Sequence, residues 1–372
     1  MFVLFCFLLA GICIWRGIMP LHWPRWCKIT LSILVAVLAF NFILRRLAGV
    51  ENLPVWWMLT IAWGFSLLAL YDGMLIIYES VYWMIWGIGK GMHREFPLLR
   101  KCNWLRSWLL LPAGVIVCVG MVSALGMPQV HEYELFLPRL PIGSDGMTVV
   151  LLTDIHADKI TDRNRIERIV EKVNSLNPDL IAVGGDIVDR RVDLLSDELM
   201  PLGKLRAKYG VYGVPGNHEY YAGYSRWIAF FNSIGIKMLE NSHVILPGSP
   251  IVLAGTTDPA AEKMDMELPD VAKSFAGVPE NAFKILLTHQ PKVVDQSAAA
   301  QVDLQLSGHT HGGMVRGMDL LIACFNKGMV SGEYDYDNVK VFISNGAGIW
   351  SGFPVRLGRS SEIVLLRLRC KK

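Results

Sequence analysis

The chain has 372 residues, of which 52% are hydrophobic, and its 36 basic and 33 acidic side chains leave a net charge of only +3. So slight a positive charge gives no reason to expect a nucleic-acid partner, and the apolar content is high for a soluble protein. Ten of the twelve tryptophans lie before residue 110. The composition therefore predicts a membrane region in the first third, followed by one sizeable globular domain.

Residues 1–128 are predicted to form a multi-pass α-helical membrane region. A helix needs about 20 apolar residues to cross the hydrocarbon core. Four stretches come close to that length: residues 2–18, 29–44, 55–78 and 108–127. The first lacks a preceding basic segment and a small-x-small cleavage site, which favours a retained helix over a signal peptide. The third stays apolar to Trp86, which indicates one span followed by an interfacial segment; two short spans joined by a hairpin at Asp72-Gly73 are the alternative.

Charged residues near the spans predict how the chain is placed in the membrane. Asp72 and Glu79 are expected to face interfacial water or to pair with Lys90 or Arg94. Basic residues beside the spans favour the cytoplasmic side, and they number eight on one side against three on the other. The eight are Arg16, Arg25, Lys28, Lys90, Arg94, Arg100, Lys101 and Arg106, and the three are Arg45, Arg46 and Arg139. With four spans, this count places the C-terminal domain outside the cytoplasm.

Residues 129–147 are predicted to be a linker rich in proline and glycine, within which residues 133–137 could form a first edge strand. Short apolar runs then alternate with amphipathic helices. The predicted strands are residues 148–153, 180–183, 211–214, 251–254, 284–288, 304–306, 339–344 and 363–368. The predicted helices are residues 163–176, 194–208 and 224–234. This alternation predicts an α/β domain, and the strand-rich second half predicts a second sheet.

A pair of histidines between glycines, His309 and His311, is the central motif of the chain. Residues 308–313 read Gly-His-Thr-His-Gly-Gly, and the glycines permit a turn in which both imidazoles reach one point. Four further motifs precede it, each after an apolar run: Asp154-Ile155-His156, Gly185-Asp186, Gly216-Asn217-His218-Glu219 and Thr288-His289. Asp, Asn and His supply the oxygen and nitrogen ligands that suit a pair of divalent metal ions. Because catalytic residues gather at the carboxyl ends of strands in α/β sheets, we expect these segments to meet at one edge.

The order of these motifs resembles that of the calcineurin-like metallophosphoesterase superfamily, over residues 148–369. The stretch 346–363, with Pro354-Val355-Arg356 and Ser361-Glu362-Ile363, is similar to a bacterial membrane-associated branch of that superfamily. Met314 and Ser361 stand where the branch often has Gln and Pro. The resemblance implies a domain over residues 148–372 with two β-sheets packed face to face and helices outside.

The resemblance also implies a binuclear metal centre. The implied ligands of the first metal are Asp154, His156, Asp186 and His311. Those of the second metal are Asp186, Asn217, His289 and His309. A bridging carboxylate offsets the repulsion between two cations about 4 Å apart, and such a pair activates water for in-line attack on phosphorus. The mixed shell of oxygen and nitrogen fits Mn, Fe, Zn or Mg.

His218 and Glu219 are the candidate catalytic residues. His218 directly follows a metal ligand, so we expect it to stabilise phosphoryl oxygens or protonate the leaving group, with Glu219 orienting it. A histidine that only hydrogen-bonds to its loop is the alternative. Asp189 is expected to fix its own loop through hydrogen bonds. Arg190 and Arg356 are candidate substrate-binding residues for a second phosphate, or else members of surface ion pairs.

The sequence therefore predicts a membrane-anchored, binuclear-metal phosphoesterase that hydrolyses a phosphodiester or pyrophosphate bond. Relatives that cleave nucleotide-linked lipids make a pyrophosphatase of the UDP-diacylglucosamine type one alternative, by analogy. A non-catalytic metal-binding scaffold or sensor is the alternative of another class, and missing ligands would favour it. The expected partners are the lipid bilayer and a phosphoester substrate, lipidic or nucleotide-linked, with no nucleic acid. The expected location is the cell membrane, crossed several times, with the catalytic domain outside the cytoplasm.

Overall fold

The computed structural model describes residues 2–41, 43, 53–92 and 103–370 of the chain. The chain divides into two compact units. The helical unit comprises Met1–Ser123 with Ser351–Val355, and the α/β unit comprises Ala124–Trp350 with Arg356–Lys372. The first unit contains the apolar stretches, and the second contains every motif of the predicted metal centre.

Five α-helices lie among the described residues before the first strand. They are α1 Phe2–Ile12, α2 Arg25–Ala39, α3 Val55–Gly91, α4 Asn103–Trp108 and α5 Leu110–Leu125. A π-helical turn, Cys13–Ile18, continues α1. Within the described part of the chain, two stretches are long and apolar enough to cross a membrane, namely α3 and the helical residues Leu105–Leu125. Four spans were expected from the sequence, whereas α2 has only 15 residues, and the end of the second expected span lies outside the described residues.

The helix α3 runs without a break through Asp72 and Gly73. At 1.5 Å per residue its 37 residues extend over about 55 Å, which exceeds the hydrocarbon thickness of about 30 Å. The alternative of two short spans joined by a hairpin at this point is therefore wrong. The apolar residues of α3 continue well past the length that one span requires.

The charged side chains of α3 also differ from expectation. Asp72 is buried, with 2% of its surface exposed, and does not face water. Glu79 was expected to pair with Lys90, but it forms ion pairs with Arg16 and with Arg106, the latter at 2.7 Å. Arg94, the other expected partner, lies outside the described residues. Three helical segments far apart in sequence thus meet at one carboxylate, which local charge patterns did not indicate.

The α/β unit contains two mixed sheets of six strands. In chain order the strands are β1 Gln129–Leu137, β2 Thr148–Leu152, β3 Leu180–Val183, β4 Val211–Gly213, β5 Lys237–Met238, β6 Ser242–Ile245, β7 Ile251–Gly255, β8 Phe283–Leu287, β9 Leu304–Ser307, β10 Gly332–Tyr336, β11 Val339–Ile343 and β12 Glu362–Cys370. The first sheet has the order β1-β12-β2-β3-β4-β5 and the second the order β10-β11-β9-β8-β7-β6. The strands β2 to β5 pair in parallel, as do β7, β8, β9 and β11. The prediction of an α/β domain with a second sheet is confirmed.

Seven helices accompany the sheets. They are α6 Arg163–Ser175, α7 Val192–Leu199, α8 Asn217–Ala222, α9 Tyr224–Ser233, α10 Val271–Ser274, α11 Val294–Ala299 and α12 Asp319–Phe325. The helix expected over residues 194–208 ends early, because a 3-10 turn with Pro201 in its first turn follows at Met200–Lys204. The linker expected over residues 129–147 is in part β1, the edge strand that pairs in parallel with β12.

Successive side chains of the central strands point to opposite faces of the sheet, and apolar side chains on both faces create a core on each side. Val149 and Leu151 pack between the two sheets, whereas Val150 and Leu152 pack under α6, α7 and α9. A third cluster, which includes Leu286, lies between the second sheet and the helices α10 and α11. Strands that are buried on both faces read as continuous apolar runs, which is why the sequence indicated them. The layers are therefore helix, sheet, sheet, helix, as the resemblance implied.

Candidate metal centre

All five ligand-bearing segments begin just after a parallel strand ends. Asp154 follows β2, Asp186 follows β3, Asn217 follows β4, His289 follows β8 and His309 follows β9. Parallel neighbours end at the same edge of their sheet, and the two sheets are packed face to face. Segments up to 157 residues apart are thereby brought to a common edge, where their polar side chains need not enter either core.

One group of donor atoms consists of Asp154, His156 and His311. The Nε2 atoms of the two imidazoles lie 3.1 Å apart. Nε2 of His311 is 3.5 Å from Oδ1 of Asp154, and Nε2 of His156 is 3.9 Å from the same oxygen. All three side chains are buried. Two ring nitrogens and a carboxylate oxygen thus face one point.

A second group consists of Asp186, His289 and His309. Nε2 of His289 lies 3.1 Å from Oδ2 of Asp186 and 3.2 Å from Nδ1 of His309. Nε2 of His156, a member of the first group, is 3.9 Å from the same Oδ2. Oδ2 of Asp186 therefore lies between the two groups, which is the place a bridging carboxylate would take.

The donor atoms of both groups fit divalent cations. The Nδ1 atom of His289 contacts the carbonyl oxygen of Gly184 at 2.8 Å, which leaves Nε2 for a metal. Asn217 carries a buried Oδ1 that has no hydrogen-bond partner among the described residues. An orphaned amide oxygen is costly in a protein interior unless something binds it, and a cation in the second group would do so. Carboxylate, amide and imidazole donors together suit Mn, Fe, Zn or Mg.

The backbone at the centre is held in an uncommon conformation. Five of the seven candidate ligands have positive φ angles: Asp154 at 53°, His156 at 47°, Asp186 at 49°, His309 at 71° and His311 at 50°. Non-glycine residues rarely adopt this region, and strained residues concentrate at functional sites. This uncommon backbone conformation therefore indicates that the loops are shaped to place these side chains at the centre.

Glycines allow backbone to pass directly beside the two carboxylates. A Cβ on Gly308 would lie 2.3 Å from Oδ2 of Asp154, and a Cβ on Gly216 would lie 2.3 Å from Oδ1 of Asp186. The backbone N–H of His309 donates to Asp154 at 3.1 Å, and that of His218 donates to Asp186 at 2.8 Å. Each carboxylate is thus oriented by the loop that supplies another candidate residue.

His218 lies at the open side of the cluster. Its Nδ1 contacts Oδ1 of Asp189 at 2.6 Å, and its Nε2 is 3.9 Å from Oδ2 of Asp186. Its side chain is 21% exposed, against 1% for His156. Burial would lower the pKa of the His218 imidazole, but the charges of Asp186 and Asp189 raise it to about 10. A protonated imidazole in this position can donate to an anionic group that enters from solvent.

Glu219 has a different surrounding from the one expected. Its carboxylate accepts backbone N–H groups of Asp186 at 3.0 Å, Ile187 at 2.7 Å, Val188 at 3.3 Å and Gly216 at 2.6 Å. It therefore joins the loop after β3 to the loop after β4 and does not hydrogen-bond to His218. Asp189 orients His218 instead, and it also accepts from Nδ1 of His156 at 2.7 Å.

Arg356 is buried and is not part of a surface ion pair. Its Nη1 donates to the carbonyl oxygens of Asn345 at 2.7 Å and His311 at 3.2 Å. Its Nη2 is 3.1 Å from Nδ1 of His311 and 3.3 Å from the carbonyl oxygen of Gly348. Burial lowers the pKa of the Arg356 guanidinium to about 10. Only 3% of Arg356 is exposed, so its guanidinium holds His311 in place from behind and presents little surface to a second phosphate.

Two further residues at this edge, Asp258 and Gln290, were not predicted. Asp258 accepts from Nε2 of Gln290 at 3.0 Å with both oxygens, directly behind His289. Asp258 follows the parallel strand β7, as the candidate ligands follow theirs, and that position was the available signal.

Arg190, the other candidate for substrate binding, has a carbonyl oxygen that accepts from the Trp227 indole at 3.0 Å. This bond places Arg190 just beyond the Asp189 loop.

Comparison with known proteins agrees with this geometry. Residues 147–313 match the calcineurin-like phosphoesterase family. A metallophosphoesterase from Helicobacter pylori strain J99 is 34% identical over 268 residues, which cover 72% of this chain and 70% of the relative. The chain therefore belongs to the calcineurin-like phosphoesterase family, and it is an enzyme of the metal-dependent phosphoester hydrolase class.

One relative extends the comparison into the apolar first third. A transmembrane protein with a metallophosphoesterase domain from Danio rerio is 30% identical over 93% of this chain and 81% of its own. The metallophosphoesterase of a second Helicobacter pylori strain is 35% identical over 67% of this chain and 66% of its own. The solved structure of NAD nucleotidase from Haemophilus influenzae aligns with 54% of this chain and 50% of its own, at 14% identity and a TM-score of 0.37. That structural similarity is too low to add to the assignment.

Proposed function

We propose that the chain is a membrane-anchored phosphoesterase with a binuclear metal centre, and that it hydrolyses a phosphodiester or pyrophosphate bond. The observation that carries the proposal is the pair of donor groups that meet at Oδ2 of Asp186. Asp154, His156 and His311 would hold one ion, and Asn217, His289 and His309 would hold the other. When bound, such a pair supplies Lewis-acid activation of a water molecule and of a phosphate oxygen.

The residues around the two groups have separable tasks in this proposal. His218 would hold a proton at Nε2, directed to a phosphoryl oxygen or to the leaving group, while Asp189 holds the ring through Nδ1. Arg356 keeps His311 in position from behind. Glu219 keeps the two central loops together. The buried loops exclude bulk water from one side of the site, so that a phosphate enters beside His218.

The membrane part of the proposal rests on the apolar helices and on the transmembrane relative. We propose that the chain crosses the cell membrane several times and that its catalytic unit faces away from the cytoplasm. A bilayer partner and a phosphoester substrate with a lipidic or nucleotide-linked leaving group follow from that placement. The two stretches long enough to span a membrane support the anchoring.

Replacement of Asp186 by Asn tests the binuclear centre. The change removes the shared anion while keeping an acceptor of similar shape, so we expect the loss of bound metal and of turnover together. Metal is counted by elemental mass spectrometry on the purified full-length chain, and turnover is measured with bis-p-nitrophenyl phosphate. Asp270→Asn is the matched control, because Asp270 is an exposed N-cap outside the centre and Asn caps a helix equally well.

The bridging assignment for Asp186 would be wrong if Asp186→Asn kept two metals per chain and normal turnover. A loss in Asp270→Asn of the same size would show that any change of charge in the unit destabilises it. If the unaltered chain bound metal but hydrolysed no phosphoester, a metal-binding scaffold would replace the enzyme as the interpretation of the site.

A further inference from the structure

Exposed apolar side chains of the α/β unit are concentrated around the metal-bearing edge. Among its described residues, twelve large apolar side chains are exposed, and seven of these belong to loops and short helices that follow β4, β7 and β9 at this edge. Three are on α12, three follow Asp258 at positions 264, 266 and 268, and one is Tyr221, whose ring centroid lies 5.7 Å from that of His218. Apolar surface grouped in this way marks a site of interaction.

The helix α12 carries the most exposed of these side chains. Leu320 is 75% exposed, Leu321 60% and Phe325 57%, and none of the seven residues of the helix is buried. A helix this short is unstable in water by itself, since most helical stability in proteins comes from packing of an apolar face. The helix therefore presents an apolar face that no described residue covers.

The same helix begins directly at the metal centre. The turn His311–Gly313 leads into it, and a Cβ on Gly313 would lie 2.5 Å from Cα of Asp319. Asp319 is 3.6 Å from the guanidinium of Arg359, which also contacts Ser331 at 3.2 Å. The first turn of α12 is thus fixed to the loop that carries His311, and its apolar side chains point outward from there.

We propose that α12 docks into a phospholipid bilayer and presents the metal centre to phosphoesters at the lipid surface. The inference rests on the proposed function, both for the hydrolytic centre and for the membrane anchor. Exposed basic residues, Arg316 and Lys327, flank the helix, with leucine and phenylalanine between them, and Lys327 also forms an ion pair with Asp295. Cationic ends around an apolar face are typical of helices that lie in the interface of a bilayer. Because the chain also carries apolar helices long enough to span a membrane, a bilayer is the surface always within reach.

Photocrosslinking in liposomes tests this docking directly. The full-length chain with Phe325→p-benzoylphenylalanine is reconstituted in phosphatidylethanolamine and phosphatidylglycerol, irradiated and digested, and lipid adducts are detected by mass spectrometry. The matched control is Ile245→p-benzoylphenylalanine, because Ile245 is 56% exposed and sits beside the amino end of β7, away from the metal edge. We expect phospholipid adducts at position 325 and only background at position 245.

Equal labelling at both positions, or no adduct at position 325, would overturn the docking. A crosslinked dimer from position 325 would overturn it in favour of a second copy of the chain. Hydrolysis of bis-p-nitrophenyl phosphate by the unaltered chain is measured in the same liposomes. If that hydrolysis is absent, the proposed function fails, whereas hydrolysis without adducts at position 325 refutes the docking alone.

Discussion

Asp189 accepts from two histidines with one oxygen and thereby separates their tasks. Nδ1 of His156 and Nδ1 of His218 lie 2.7 and 2.6 Å from its Oδ1. The His156 ring is enclosed and directs Nε2 into the first donor group, while the His218 ring remains open to solvent. A shared orienting carboxylate of this kind is common behind metal-bound histidines. The two residues are therefore expected to respond differently to replacement.

Replacing His218 by Asn should lower turnover by about 10² or more and leave bound metal unchanged, because a proton donor is removed without removing a ligand. Turnover and metal content are measured on the same preparation. His243→Asn is the control, since Nδ1 of His243 contacts the carbonyl oxygen of Ser274 far from the centre. An equal loss of metal would show that His218 is a ligand, and an unchanged rate would show that it only bonds to its loop.

Replacing Glu219 by Gln should lower the free energy of unfolding by about 2–3 kcal/mol, because four buried N–H groups share its carboxylate. Thermal unfolding of the full-length chain measures the loss. Glu134→Gln, which removes only a surface ion pair with Arg369, should change stability by less than about 1 kcal/mol. A normal melting temperature with lost turnover would instead restore Glu219 to a catalytic role.

At the scale of the elements, the loops after the parallel strands fit together through glycine. Gly308 and Gly216 let one loop pass within contact distance of the carboxylate on another. Such contacts leave no room for a side chain and cannot relax, since backbone lies on one side and a strained ligand on the other. The loops therefore behave as one assembly, and a change in one should be felt at the side chain of the next.

Gly308→Ala should reduce metal binding and lower turnover by about 10², because its methyl group would displace Asp154 from the first donor group. Both quantities are measured as for the other variants. Gly143→Ala is the matched control, since nothing lies within 4 Å of the position of its added methyl group. Normal metal content in Gly308→Ala would mean that the loop can shift without disturbing Asp154, contrary to the tight fit described above.

At the scale of the whole molecule, the proposed orientation in the membrane depends on how many times the helical unit crosses it. The continuous helix α3 rules out a hairpin at Asp72, so one alternative for the number of crossings is removed. Glu79 joins Arg16 and Arg106 from two other helical segments, which stabilises the packing of this unit. We expect the basic residues beside the proposed spans to favour one orientation.

With the four spans expected from the sequence, eight basic residues against three favour a catalytic unit outside the cytoplasm. Fusions after Gly126, between α5 and β1, should then give active alkaline phosphatase and non-fluorescent green fluorescent protein. Fusions after Met92, at the end of α3, serve as the control and should behave in the opposite way. A fluorescent fusion after Gly126 would place the catalytic unit in the cytoplasm and contradict the orientation that the charge count predicts.

The local pattern of residues was sufficient for the family, the α/β class and most of the central strands. Strands such as β2 and β3 are continuous apolar runs because both of their faces are buried, and this is visible in the sequence alone. The candidate ligands were visible for a related reason, since each polar motif directly follows such a run. The short edge strands β6 and β10 were not predicted, because their side chains are only partly buried and leave a weak pattern.

Only the tertiary structure decided which neighbour each charged side chain has. Glu219 was expected beside His218 but bonds to backbone 32 residues earlier in the chain, and Arg356 was expected at a substrate but contacts His311. Periodicity reports burial along one element, whereas these contacts depend on how separate loops meet at the edge of two sheets. The sequence by itself determined the fold and the set of reactive side chains, and the packing of the strand ends decided what each of them does, because partners distant in sequence share no local pattern.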